Sequence, residues 1–319
     1  MTASTSNRKF AIVCDSACDL PLSTLERAGA ALVPLIVRMG HEQYRDCLDI
    51  DTPTFYREYA KHRGQINTYS PSEVDFLTVY QALAEQGCEH IVSLHVSSQM
   101  RDVCEVARSA VSKVQGARVT VIDTHASSAE YALVFARLVL DRNAGMDSYE
   151  AVERAQALSA ASRMLMVPTA DANPSNGIGH KRGGILGHMS QLQRRALGVR
   201  GLVKITPDGQ AEEITTSSDT ARLAGVLART LSRYSAKVGP ITYVEVYSGD
   251  PKVLQKLEKP LDTNEFESAC AARLRANPST CAQIGVGAVG IACAPASLIT
   301  AEEASSVLQA RQARQARQV

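Results

Sequence analysis

The sequence predicts an α/β protein of two domains. The first is a mainly parallel sheet with helices on its faces, and the second is an α/β domain with more antiparallel strands. Three observations lead there. Short β-rich runs alternate with segments of helical spacing from residue 10 to about 142, the pattern of a helix-covered parallel sheet. After about Ser162 the pattern changes to turn-punctuated strand pairs. The chain has 319 residues, 45% of them apolar and 21% charged, enough to bury a sizeable core and long enough for two domains. The boundaries fall at 8–162 and 163–296, with a helical or frayed tail over 297–319.

In order along the chain, FAIVC (10–14), AALVPLIV (30–37), HIVSLHV (90–96) and RVTVID (118–123) read as strands. Helical spacing covers 52–62, 72–86, 101–114 and 127–142. RMGHEQYRD (38–46) has Gly40 between two short extended arms and predicts a hairpin. A helix over 148–161 leads out of the first domain. The segment 170–184 is rich in Gly, Asn and Pro and reads as loop. Strands at 200–206 and 212–216 flank the turn PDGQ. Next come a helix over 218–234, the strand ITYVEV (241–246), helices near 251–258 and 265–275, and paired strands near 279–293. The tail repeats the triplet QAR and reads as a solvated helix.

Composition narrows the function. Lys and Arg number 34 against 33 Asp and Glu, a net charge of +1, without the basic excess that a phosphate backbone demands. Aromatic residues are 5% and Trp is absent, a poor supply of stacking platforms for bases. Nucleic acid is therefore not the expected partner. No apolar run reaches the roughly 18–20 residues of a membrane span. The N-terminus MTASTSN lacks a signal-peptide pattern, and a cytoplasmic location is expected. The eight cysteines are scattered, with no Cys-x-x-Cys pair; they read as small buried hydrophobes, and no metal is expected.

Two glycine patterns fail as nucleotide loops. GVGAVG (285–290) has the spacing of a dinucleotide fingerprint, but β-like IAC follows where a helix should. It reads as a glycine-rich turn or strand. GIGHKRGG (177–184) lacks the Lys-Ser or Lys-Thr of a phosphate loop and offers Arg182 as an anion or partner contact. A Ser–His hydrolase built on His95 and Ser97 lacks the strand–turn–helix elbow that exposes a nucleophile, so no catalytic residue is assigned and the chain is read as a non-enzyme.

Ligands of parallel sheets gather at the carboxyl ends of the strands. Those ends carry Asp15-Ser16, Ser97-Ser98 and Asp123-Thr124, while Thr68 and Tyr69 precede a helix capped by Ser70 or Ser72. Hydroxyls beside a helix N-terminus make a neutral cradle for a carboxylate or phosphate, although each hydroxyl can equally be a simple cap. Such a cradle fits a protein that only binds a small anion, or alternatively an enzyme or regulatory module acting on another small carboxylate or phosphate at the same strand ends.

In order, AIVCDSACDLP (11–21), VPLIVRMGHEQYRD (33–46), TYSPSEVDF (68–76), LHVSSQM (94–100), VIDT (121–124), RGG (182–184) and GVGAVG (285–290) resemble the DegV family over residues 9–293. The resemblance implies a two-domain α/β protein that binds one long-chain fatty acid in a buried tunnel, with no cofactor, and that in some bacteria presents it to a fatty acid kinase for phospholipid synthesis. It implies carboxylate contacts at Thr68, Tyr69 (where Ser is usual), Ser97, Ser98 and Gln283, the last standing where the family has His. Met100-Arg101-Asp102-Val103 replaces the family's L-S-G-T. Gly183-Gly184-Ile185 replaces G-G-R, leaving Arg182 as the positive charge there.

Overall fold

In a computed structural model, the described residues are 10–170, 172, 191–255 and 266–309. The chain opens with β1 (Ala11–Cys14), a 3-10 turn (Ser16–Cys18), α1 (Leu22–Ala28) and β2 (Ala30–Leu32). A hairpin of β3 (Ile36–Met39) and β4 (Glu42–Arg45) follows, turning at Gly40 with φ +63°. Next are α2 (Thr52–Tyr59), β5 (Ile66–Tyr69), α3 (Glu73–Glu85), β6 (His90–His95), α4 (Val103–Val111), β7 (Arg118–Asp123), α5 (Ser128–Asn143) and α6 (Ser148–Ala161). Ser72 caps α3 in a reciprocal capping box with Asp75, which settles the choice between Ser70 and Ser72.

These strands form two sheets: a parallel one ordered β2-β1-β6-β7 and a small antiparallel one ordered β4-β3-β5. The run 30–37, expected as one strand, is divided between them. Pro34 lies at the break; it has no N–H for a ladder and fixes its own φ.

The second half contains β8 (Arg163–Val167), α7 (Gln191–Ala196), β9 (Arg200–Ile205), β10 (Ala211–Ser217), α8 (Thr220–Val238), β11 (Ile241–Tyr247), β12 (Ser268–Arg275), α9 (Pro278–Ile284), β13 (Val289–Pro295) and α10 (Ala301–Leu308). Its six strands are ordered β10-β9-β8-β13-β11-β12, antiparallel except for β11 with β12.

Two expectations are corrected here. The helix near 265–275 is the edge strand β12, where pairing to β11 overrides the helix preference of SACAARLR. Of the paired strands near 279–293, the first half is α9, started by Pro278 in its first turn after Asn277. Of the expected helix near 251–258, Pro251–Leu254 is a 3-10 turn and Gln255 is helical, while 256–258 lie outside the described residues. In the tail, α10 packs against α5 with Ala304, Val307 and Leu308 buried; residues 310–319 lie outside the described set.

One helix ties the halves together. α5 is buried over nearly its whole length and packs on α6, α10 and strands β8, β11 and β13. Apolar residues fall on every side of it, which suits an interior helix, and the largest apolar cluster among the described residues runs through α5 from Phe10 to Leu308. Its charges are mostly partnered: Arg137 makes a two-pronged pair with Asp141 at 2.6 and 3.0 Å, and Arg142 donates to the carbonyls of Ala28 and Gly29. Glu130 is the exception. Its Oε2 is buried without a hydrogen-bond partner, and burial raises its pKa to about 8.

Candidate functional site

Between the sheets lies a narrow, partly open cavity. The parallel-sheet side contributes Met100, from the turn after β6, and Ser127 and Ser128, where α5 begins. The other wall is Met164 and Met166 of β8, Pro168, Val203 and Ile205 of β9, and Thr280, Gln283 and Ile284 of α9. Alternation along β8 turns Met164 and Met166 toward α5, while Leu165 and Val167 join the cluster under α8. β13 approaches closely behind: a Cβ on Gly290 would stand 2.8 Å from Met166 Sδ and 2.9 Å from the Leu165 carbonyl oxygen. Most of the lining is therefore apolar, with hydroxyls and one carboxamide at the α5–α9 side.

Of the predicted head-group residues, Gln283 lines this cavity. It is 8% exposed, and among the described residues no hydrogen bond engages its side chain. Thr68 is buried on β5, with Arg101 donating to its carbonyl oxygen at 2.8 Å and to its Oγ1. Ser97 is buried and donates to the Gly209 carbonyl at 2.9 Å. Gly209 belongs to the PDGQ turn between β9 and β10, so that turn from the second half lies over the strand ends of the first. Ser98 is exposed, its backbone N–H donating to Asp123. Tyr69 is 41% exposed, with the Arg38 guanidinium 5.2 Å over its ring. Arg182, Gly183 and Gly184 lie outside the described residues. The pattern GVGAVG is a turn with positive φ at Gly285 and Gly287, followed by β13.

Behind the rim is a buried polar chain that the sequence reading missed. Tyr80 donates to Ser93 Oγ at 2.7 Å, Ser93 Oγ lies 2.7 Å from His95 Nε2, and His95 Nδ1 lies 3.1 Å from Asp15 Oδ2. With Nδ1 protonated, every donor in the chain points the same way. Asp15 also accepts from the backbone N–H groups of Val96 and Ala17, each at 2.9 Å. This has the order of a Ser-His-Asp triad, but Ser93, His95 and Asp15 are all 0% exposed, so no substrate reaches it. Its work is to lock β6 to β1.

Two further buried carboxyls meet the start of α9. Asp19 accepts from the Asn277 N–H at 2.8 Å and from the Ser128 hydroxyl. Burial pushes its pKa up to about 7, against the opposing pull of Ser128, Asn277 and Thr280. Asp46 accepts from the Ser279 N–H at 3.2 Å, and burial raises it to about 6. Both hold α9, and with it Gln283, against the first half. The local signal was Asn277-Pro278, a cap followed by Pro in the first turn; its distant partners leave no mark in sequence. Among the described residues no group of three or more His, Cys, Asp or Glu side chains is placed to hold a metal. No helix there is long and apolar enough to cross a membrane.

A family model described as "Uncharacterised protein, DegV family" matches residues 9–296. A DegV domain-containing protein of Streptomyces coelicolor is 31% identical over 229 residues, 70% of this chain and 77% of that one. Among solved structures, a DegV family protein from Thermus thermophilus, described as fatty-acid-binding, superposes with a TM-score of 0.77 at 22% identity, covering 90% of this chain and 99% of that one. A stearic-acid-binding protein from Eubacterium ventriosum gives 0.76 at 22% identity, covering 90% and 98%. At these identities the likeness to the two structures is one of fold.

Proposed function

Because the chain belongs to the DegV family, we propose that it is a binding protein, not a catalyst, holding one long-chain fatty acid in the cavity between its sheets. The observation that carries this is the cavity itself, walled mostly by Met100, Met164, Met166, Pro168, Val203, Ile205 and Ile284, with Ser127, Ser128, Thr280 and Gln283 as its polar members. Each methylene taken from water contributes about 0.8 kcal/mol. The three methionines can adjust to the irregular shape of an acyl chain. Gln283 offers a carboxamide to the head group, and Thr68 lies on the strand against which α9 packs. Ser97 would join them if Gly209 released its hydroxyl. Ser98 and Tyr69 would serve at the outer rim. The solved relatives described as binding fatty acids support the same ligand class.

Native mass spectrometry of the purified protein tests the reading. One long-chain fatty acid per chain is expected, and a protein that is empty and takes up neither palmitate nor oleate overturns it. Delivery to a fatty acid kinase in the cytoplasm is the finer part of the proposal, supported by family membership. A kinase that phosphorylates the lipid faster from the loaded protein than from free fatty acid supports delivery; an unchanged rate removes it.

A further inference from the structure

A second cleft, of about 400 Å³, opens between the C-terminal half of α8 and the paired strands β8 and β9. Its size is that of a small-molecule site. Four cations from three elements line it. Arg163 lies two residues before Leu165 on β8, and Lys204 on β9 stands opposite Leu165 in register, so both share the face of the sheet that α8 covers. Arg233 and Lys237 stand one turn apart on α8. Arg163 is held in place: it donates to the carbonyls of Ala160 and Ser162, and its guanidinium lies 5.3 Å over the Tyr234 ring. Glu130 feels the charge of Arg163 from inside the core, but burial raises its pKa to about 8 and keeps it protonated at neutral pH. Lys204 pairs with Glu212 at 3.0 Å. Arg233 and Lys237 are exposed and make no ion pair or hydrogen bond with a described residue. Like charges one turn apart repel along a helix. Lys237 also suits the negative end of α8, but Arg163 and Lys204 belong to strands and owe nothing to that helix.

We propose that this cleft binds a small molecule through a diphosphate or triphosphate group. Arg163 and Arg233 present planar forks that match phosphate oxygens, and Lys237 adds a point charge. A terminal phosphate carries about −1.5 to −2 charge at neutral pH, and a second phosphoryl group adds to it, so a diphosphate comes close to balancing these three cations. A lone carboxylate would leave most of that charge unmet. Side-chain cations stand in here for the backbone N–H groups of a glycine-rich phosphate loop. Leu165, Leu231 and Val238 give the cleft an apolar floor on which an organic part of the ligand can rest. The site goes beyond the lipid reading, although the two linings meet at Met164 and Ile205, a register pair of the β8–β9 ladder.

Calorimetric titration of the full chain with ADP and with inorganic pyrophosphate tests this, sulfate serving as the generic anion. Wild type is expected to bind one or both probes saturably, about tenfold or more tightly than sulfate. Tighter binding of ADP supports the site and points to an ester whose organic part uses the apolar floor; equal affinities support it with the diphosphate group alone as the ligand. Arg233→Gln combined with Lys237→Gln is expected to weaken binding about tenfold or more. Arg222→Gln combined with Arg229→Gln removes the same charge from α8 outside the cleft lining and should stay within about twofold of wild type. The absence of saturable binding, an affinity no better than that for sulfate, or equal losses in the two double variants overturns the site. Should the first double variant fail to fold, the single substitutions Arg233→Gln and Lys237→Gln decide by the same comparison. Palmitate plays no part in the titration, so a failure of the lipid reading leaves this result standing.

Discussion

On the side of the first half of the chain, Thr68 and Ser97 already have partners inside the protein, Arg101 and Gly209, and Asp15 anchors β1 and β6 beneath Ser97. On the α9 side, Gln283 is just as buried but makes no hydrogen bond among the described residues, beside methionines on β8. The polar groups of the first wall are taken up by other parts of the protein, and the second leaves one for a guest. Substitutions in the first wall should therefore cost stability, and those in the second should change binding.

Asp15→Ala should show the largest effect. It removes the acceptor of two backbone N–H groups and leaves His95 unpaired in a dry setting, a loss of about 3–5 kcal/mol; a denaturant midpoint close to wild type would break the comparison at its root. Gly209→Ala comes next. Gly209 has φ +82°, and a Cβ there would stand 2.1 Å from Ser97 Oγ and 3.0 Å from the His125 Cα. The turn must shift, at about 1–3 kcal/mol, and thermal melting of the variant reads the cost.

Asp19→Asn sharpens the contrast through pH. Burial raises the Asp19 carboxyl to about 7, so the folded chain holds a proton that the unfolded chain gives up near pH ~4. The stability linked to that proton is complete below pH ~4 and is lost as the pH rises through about 7. Asn keeps the shape without titrating. Urea titrations from pH ~4 to pH ~8 should give a flatter profile for the variant and, at the upper end, a gain of one to a few kcal/mol over wild type. An equally steep profile would show that Asp19 does not titrate in this range. Gln283→Leu should do least to the fold, under about 1 kcal/mol, because no bond is lost. It should weaken palmitate uptake about tenfold; a variant that melts early yet binds normally would reverse the roles of the two walls.

Much of the first half was legible because its strands are continuous apolar runs: FAIVC, HIVSLHV and RVTVID contain β1, β6 and β7, all in one parallel sheet. Buried parallel strands carry that signature. The second half was harder where local preference and pairing disagreed. SACAARLR is rich in alanine, and only its partner β11 makes it a strand. At the site, the sequence marked the hydroxyl-bearing ends of β5 and β6 but not their bonds. Ser97 finds Gly209 112 residues away, and Thr68 finds Arg101 33 residues away. Such pairings depend on how the halves close, which local pattern does not encode.

The position of α5 also has a consequence for the order of synthesis. The helix is complete by Asn143, but β11 and β13, which cover one flank, end only at Tyr247 and Pro295. A ribosome adding about 5–20 residues per second leaves that apolar flank incompletely covered for about 8–30 s. The first half of this chain cannot reach its final packing before the last strand emerges, and a chain halted before Val289 exposes the surface on which two copies would stick together.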